Sequence, residues 1–348
     1  MVHLRHVSCS APGMARRRRG KGFLYLDAAG QPVTDESTLA RISALVIPPA
    51  WQDVWICPVA NGHVQATGVD VRGRRQYRYH DAWRMQRDLE KHDRILEFAA
   101  RLPGARERLL EHLRATLELS RERVLACAVR LIDLGFFRIG GEQYAEENGS
   151  YGLATLRKDH VRVTANGEVE LEFVGKSGKL WHRCVAEPEV VDVVRALKRR
   201  RGGGPELLAF RGPGGWVDVR STDINAFLRE VTGGDATAKD FRTWSATVLA
   251  AIGLAVSTHA TTETDRKRAI ARVVREVADK MGNTAAVCRA SYIDPRVIDL
   301  YESGVTVAGD LEALGASVGY GEPAFQGAVE AAVLRLLRDE YGQERLAG

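Results

Sequence analysis

The period of the apolar pattern changes once, near residue 84, and that change restricts the fold more than any other feature. Between residues 21 and about 82 the chain consists of short β-type runs, FLYLD, DVWICPV, HVQATGVDV and RQYRYH, separated by turn signals such as AAGQPVTD, ANG and RGR. Short runs of this kind, bounded by Gly, Asn, Asp and Pro, are strands of an antiparallel sheet. From about residue 84 the stretch DAWRMQRDLEKHDRILEFAARL has apolar residues at helical spacing, and a break is expected at Pro103-Gly104. Strands followed by helices predict an α+β chain of two lobes, which is also what 348 residues suggest. The expected division is a basic, disordered arm over residues 1–20 that ends in RRRRGKG, a β-rich N-terminal lobe over 21–90 and a mainly helical lobe over 91–348.

Within the second lobe, SRERVLACAVRLIDLGFF places Val124, Cys127, Ala128, Leu131 and Leu134 on one helical stripe. HVRVT, EVELEFVG and KLWHRCV, joined by ANG and KSG, predict a small three-stranded antiparallel sheet. Helices are then expected over 187–200, over 221–232 with Ser221 as N-cap and Gly233 just past the end, over 239–254, over 262–281, and in a short piece from 283. The loop RRRGGGPE reads as flexible and basic, and AFQGAVEAAVLRLLRDEYG as a last helix.

Composition excludes several classes of function. No run approaches the roughly 18 apolar residues of a membrane span. The first 22 residues lack the apolar core of a secretory signal, so a cytoplasmic, nucleoid-associated protein is expected. Cys9, Cys57, Cys127, Cys184 and Cys288 are scattered, odd in number and without a C-x-x-C pair, which argues against a disulfide framework or a zinc cluster. The net charge of +5 is unevenly placed: residues 305–348 hold seven acidic and three basic side chains, net −4, leaving +9 on residues 1–304. A basic body suits a polyanion partner or is simply a solvated face.

Four short signatures stand in order through the second lobe: FFRIGGEQY, FVGKSGK, KDFRTWSAT and MGNTAAVCRASYIDP. Each has an ordinary explanation. Arg138 can satisfy the last carbonyls of the helix before it, Lys176 can be a solvated charge in a hairpin turn, Arg242 can pair with Asp240, Asn283 can cap the helix it opens, and Tyr292 can be packing. Their joint occurrence in this order is the stronger signal.

Taken together, and with IPPAW and GRRQYRYH in the first lobe, these motifs resemble the type IB DNA topoisomerases, particularly the small bacterial and poxvirus-like members, over nearly the whole chain. The resemblance implies Tyr292 as nucleophile, Arg138 and Arg242 as catalytic arginines, Lys176 as catalytic lysine and Asn283, nine residues before the tyrosine, in a place that eukaryotic and viral members fill with His. Asn leaves hydrogen bonding rather than proton transfer at that position. It also implies a clamp of two lobes around double-stranded DNA, acting as a monomer. Cut-strand rotation would relax positive and negative supercoils through a 3′-phosphotyrosyl intermediate. Arg72, Arg74, Arg75, Tyr77, Arg78 and Tyr79 form a basic and aromatic cluster suited to phosphates and groove edges. Tyr144, Lys158 and Lys239 are further candidate DNA contacts on segments that face DNA in the resembled enzymes.

The chemistry of these side chains agrees. Reversible strand cleavage without an energy source needs a nucleophile that keeps the phosphodiester energy in a covalent ester, and a tyrosine can supply it. An unperturbed phenol with pKa near 10 is ionised in about one molecule per thousand at pH 7, a cost of about 4 kcal/mol that nearby cations reduce. Two arginines can fork onto the nonbridging oxygens of the phosphate, a lysine can protonate the departing 5′-oxygen, and an asparagine amide can donate to a phosphate oxygen. No H-E-x-x-H, carboxylate pair or G-x-x-x-x-G-K-[ST] loop is present, so neither metal nor ATP nor another cofactor is expected. Two alternatives stay open at this point. A tyrosine recombinase shares the chemistry, although its second arginine box usually begins with His where this chain has Lys239. A non-catalytic DNA clamp would keep the lobes without the chemistry.

Overall fold

The computed structural model describes residues 3–135, 137–142, 145–146, 149–257, 262–314 and 326–338. It divides into two compact units, Met1–Asp93 and Arg94–Gly348.

The first unit is a five-stranded antiparallel sheet with one helix. Its strands are β1 (Met14–Arg19), β2 (Gly22–Leu26), β3 (Gln52–Ile56), β4 (Val64–Val69) and β5 (Arg75–Tyr79), in the order β2-β1-β3-β4-β5, with α1 (Glu36–Ala44) between β2 and β3. Met14 lies opposite Ile56, and Ile56 opposite Ala66, so these three side chains share the face that packs with Ile42 of α1 and Val54. The sequence pattern predicts no helix here. ESTLARISA becomes one because Asp35 caps it, its carboxylate accepting from the Thr38 amide at 2.7 Å.

The disordered arm expected over residues 1–20 is not what the structure holds. Met14–Arg19 is a strand paired on both sides, and Arg5 is bridged to Gly62, its amide donating to Asn61 O at 2.9 Å. The arginine run tolerates this because a strand turns alternate side chains to opposite faces. Arg17 and Arg19 reach solvent, while the Arg16 guanidinium is spent on the carbonyls of Ile47, Pro48 and Trp51 and lies over the Phe23 ring.

The second unit is mainly helical. The division falls within α2 (Asp81–Arg114), which runs through Pro103 without the expected break. A proline costs one ladder bond, and here the buried row Leu102, Ala105, Leu109 and Leu113 continues across it and outweighs that loss. The next helix, α3 (Arg121–Gly135), is buried on nearly every face rather than along one stripe. Even Arg123, Arg130 and Asp133 are inside it. The three-stranded sheet is present as β6 (Val161–Val163), β7 (Val169–Val174) and β8 (Leu180–Val185), in that order. Next come α4 (Pro188–Arg199), a hairpin of β9 (Ala209–Gly212) and β10 (Gly215–Asp218), then α5 (Ser221–Thr232) and α6 (Ala238–Ala255). They are followed by α7 (Glu263–Met281), α8 (Ala285–Ser291), α9 (Pro295–Glu302), α10 (Ala308–Leu314) and α11 (Ala328–Leu337).

Two local expectations change. Ser221 is not the cap of α5 but its first residue, with its amide and hydroxyl on the Glu142 carboxylate. Nor is RRRGGGPE a loose loop throughout, because Arg200 is buried and donates to Leu207 O at 2.6 Å. No helix among the described residues is long and apolar enough to cross a membrane.

Candidate active site

Three of the ordinary explanations for the signature residues fail on geometry. Asn283 does not cap α8. Thr284 does, its hydroxyl accepting from the Val287 amide, and the Asn283 side chain turns instead to Arg138, whose Nη2 donates to Asn283 Oδ1 at 2.6 Å. Arg138 is therefore committed to Asn283 across 145 positions of sequence rather than to the end of α3. Asp240 is held by Arg94 at 2.9 Å and by the Thr237 amide and hydroxyl, while Arg242 donates to Met281 O at 2.8 Å.

The backbone explains how each group is held. Arg138 lies in FFRIGG after α3, where its carbonyl accepts from the Leu153 amide at 2.9 Å and that of Ile139 from the Ala154 amide at 2.7 Å. This pairing brings the chain so close to itself that a Cβ on Gly140 would lie 2.7 Å from the Gly152 Cα, and Gly140 has φ +82°, so only glycine fits. Arg242 is on the second turn of α6. Asn283 follows Gly282, the left-handed cap that ends α7. Tyr292 sits where α8 stops, its amide donating to Cys288 O, and Asp294 with Pro295 at once opens α9. The SYIDP motif is thus a hinge between two short helices, with the tyrosine at the bend.

Arg242 and Tyr292 meet directly, with the guanidinium carbon 5.3 Å from the phenol ring centre. Arg242 is only 2% exposed. Its pKa is pushed down to about 10, first by burial and then by the neighbouring Arg138, against the pull of Tyr292. Thr247, one turn further along α6, ties the bend in place: its hydroxyl accepts from the Asp294 amide at 3.1 Å and lies 3.3 Å from the Tyr292 carbonyl oxygen. Asn283 Nδ2 is buried and has no hydrogen-bond partner among the described residues. A buried amide left without an acceptor is costly and needs an explanation. Lys176 stands on the 3-10 turn Lys176–Gly178 between β7 and β8, exposed to solvent. The structure thus joins Arg138 to Asn283 and Arg242 to Tyr292, and leaves Lys176 without a direct bond to any of them among the described residues.

Thr247 and Trp181 play no part in the sequence reading. Thr247 lies inside KDFRTWSAT and Trp181 inside KLWHRCV, so both are near the signatures, but a threonine in a helix and a tryptophan in a strand give no sequence signal of what they touch. Tyr301, nine residues after Tyr292, is 4% exposed and its hydroxyl donates to Ser257 O at 3.0 Å, a packing role.

The candidate DNA contacts are unlike one another. Arg74 is held by Asp70 through Nε at 3.0 Å and Nη2 at 2.8 Å, and Arg78 donates to Val46 O at 2.8 Å. Arg72 and Arg75 are exposed and pair with no carboxylate among the described residues. Tyr77 and Tyr79 are exposed with their rings stacked, centres 5.9 Å apart. Lys158 opens the turn Lys158–His160, where burial and then Arg200 lower its pKa, and Lys239 is exposed on the first turn of α6. Tyr144 lies outside the described residues.

Comparison with known proteins identifies the family. Residues 80–303 match the model of the eukaryotic DNA topoisomerase I catalytic core, and residues 22–70 that of the bacterial DNA topoisomerase IB N-terminal domain. The chain is 29% identical over 299 residues to DNA topoisomerase 1B of Acanthamoeba polyphaga mimivirus, covering 84% of this chain and 88% of that protein. It is 22% identical over 237 residues to DNA topoisomerase I of Monkeypox virus, covering 67% and 71%. A shorter similarity, 28% over 130 residues, links it to DNA topoisomerase 1 of Daucus carota, of which it covers 15%. With the catalytic-core model matching more than half of the chain, this protein belongs to the type IB DNA topoisomerase family.

Proposed function

We propose that this topoisomerase relaxes positive and negative supercoils by cutting one strand of duplex DNA with Tyr292, letting the cut end rotate and resealing it, without ATP or metal. The Tyr292 oxygen attacks the scissile phosphorus, the bond to the 5′-oxygen breaks, and a 3′-phosphotyrosyl ester forms while the phenolic proton passes to solvent. Lys176 gives its proton to the departing 5′-oxygen, which would otherwise leave as a poor alkoxide. Resealing is the reverse. Arg138 and Arg242 bind the nonbridging oxygens and neutralise charge in the five-coordinate transition state.

The observation that carries this reading is the orphaned amide. Asn283 uses its carbonyl oxygen to hold Arg138 and keeps a buried donor unused beside Arg138, one of the two arginines assigned to the phosphate. A phosphate oxygen bound there would complete its hydrogen bonding. Arg72, Arg75, Tyr77 and Tyr79 on the first unit, with Lys158 and Lys239 on the second, are assigned to the rest of the duplex.

Relaxation of positively and negatively supercoiled plasmid in excess EDTA without ATP tests the reading. The wild type is expected to relax both, and Tyr292→Phe to bind DNA but neither relax it nor leave a covalent adduct. An inert wild type, or an active Tyr292→Phe, would sink the assignment.

A further inference from the structure

The turn that carries Lys176 is well braced internally. The Gly175 amide donates to Lys179 O at 2.8 Å and the Gly178 amide to Gly175 O at 3.1 Å. These bonds fix its shape but tie it only to itself. Its position relative to the other groups must come from something else.

Trp181, 5% exposed on β8 and directly across from Phe173 on β7, lies against the surroundings of four of the five candidate groups: Lys176, Asn283, Arg242 and Arg138. Gly175, just before Lys176, packs on the five-membered ring of the indole so closely that a Cβ there would lie 2.5 Å from Cδ1 and 2.7 Å from Nε1. Gly282, just before Asn283, packs on the six-membered ring, where a Cβ would lie 2.6 Å from Cζ2. The Arg242 guanidinium carbon is 6.0 Å from the ring centre, and Phe137, just before Arg138, has its ring centre 6.4 Å away. Any one of these contacts is ordinary packing. Together they put one rigid plate against the chain immediately before three catalytic candidates and against the side chain of the fourth.

We propose that Trp181 is a positioning residue for strand cleavage: wedged between Gly175 and Gly282, its indole sets the distance from Lys176 to the phosphate site of Arg242 and Asn283. The inference rests on the reading above, in which Lys176 is the general acid. A tryptophan suits this task because the indole is flat, stiff and long enough to bridge two backbones. Glycines on both sides let those backbones come within contact of it.

The test separates the lysine's step from everything else. A substrate with sulfur in place of the 5′-bridging oxygen leaves as a thiolate, whose conjugate acid has a pKa of about 8.5, and needs no proton from the enzyme. Single-turnover cleavage of the oxygen and sulfur substrates is compared for wild type, Trp181→Ala, Trp181→Phe and Gly175→Ala. The last variant leaves the indole in place and pushes the turn away from it; Gly175 has φ −98°, so alanine is not strained there. Trp181→Ala and Gly175→Ala are expected to cleave the oxygen substrate about 100-fold more slowly, the low end of what a general acid contributes. Both should recover to within about 3-fold of wild type on sulfur with DNA affinity unchanged, and Trp181→Phe should fall between. If Gly175→Ala cleaves both substrates normally, or loses equally on both, the proposal is overturned, even should Trp181→Ala not fold. Failure of sulfur to rescue Lys176→Ala would instead count against the general-acid assignment, a separate outcome.

Discussion

Arg242 shows how much a single residue can cost a fold. Its pKa in the folded chain, about 10, lies below the ordinary arginine value of 12.5, chiefly through burial and next through Arg138. At pH 7 both folded and unfolded chains carry the charge, so the folded state bears the full penalty, on the order of 3 kcal/mol. The penalty fades as pH rises through about 10, where the folded chain gives up the proton and the unfolded chain still holds it. Arg242→Gln keeps a donor for Met281 O and removes the charge, so it should raise Tm by about 2–6 °C once lost packing is allowed for, while abolishing relaxation. The gain should shrink in buffers above pH 10. Short duplex DNA, whose phosphate supplies the missing counter-charge, should stabilise the wild type more than the variant. Thermal melts with and without DNA check all three, and a variant that melts lower than wild type at pH 7 would contradict the argument.

At the scale of elements, the helical unit is held by a buried ionic knot. Asp133 of α3 accepts from Arg106 of α2 at 2.8 and 2.9 Å, from Arg130, and from Gln326 at 3.2 Å, the residue two before α11 begins. Glu330 of α11 also takes Arg106 and the Trp244 indole N–H, the latter at 2.8 Å, so α6 is joined to the same knot. Burial raises the Asp133 pKa, but Arg106 and Arg130 together outweigh it and hold the carboxyl below the usual range. Its stabilising effect is therefore complete above the unfolded value near 4 and is lost as pH falls through the lower folded value. Asp133→Asn should destabilise the protein by about 3–5 kcal/mol at pH 7 in urea unfolding, and the gap from wild type should close on acidification below pH 4. Such knots explain what the sequence could and could not disclose. Strands before helices, the three-stranded sheet and the glycine end of α5 were legible, because each depends on neighbours a few positions apart. The passage of α2 through Pro103 and the burial of Arg130 and Asp133 depend on partners far along the chain, and the strand in the arginine run, although it pairs mainly with the next strand, is hidden by four consecutive arginines that show no apolar alternation. The four signatures were legible as a set, but the Asn283 link to Arg138 was not, since local rules favour Asn283 as a cap and only the fold moves that task to Thr284.

For the whole molecule, the charge balance bears on DNA affinity. The surplus of +9 lies on residues 1–304, which include the sheet of the first unit and the residues proposed to bind the phosphate, against −4 beyond. Net charge alone does not say which cations reach phosphates. Arg74 already holds Asp70 with two bonds, whereas Arg75, one residue on, meets no carboxylate among the described residues. A cation that binds phosphate displaces counterions from DNA, and each such contact adds about −0.9 to the slope of log affinity against log salt. Arg75→Ala should therefore weaken duplex binding at low salt and flatten that slope by about 0.9, while Arg74→Ala, which mostly breaks an intramolecular pair, should flatten it by less than half as much. Tyr77→Ala, removing a stacked ring and no charge, should lower affinity with the slope unchanged. Binding titrations with a short duplex between 50 and 200 mM salt measure all three. Equal flattening by Arg74→Ala and Arg75→Ala would mean that DNA draws Arg74 away from Asp70, and the sheet would then act as one uniformly basic face rather than as a few placed cations.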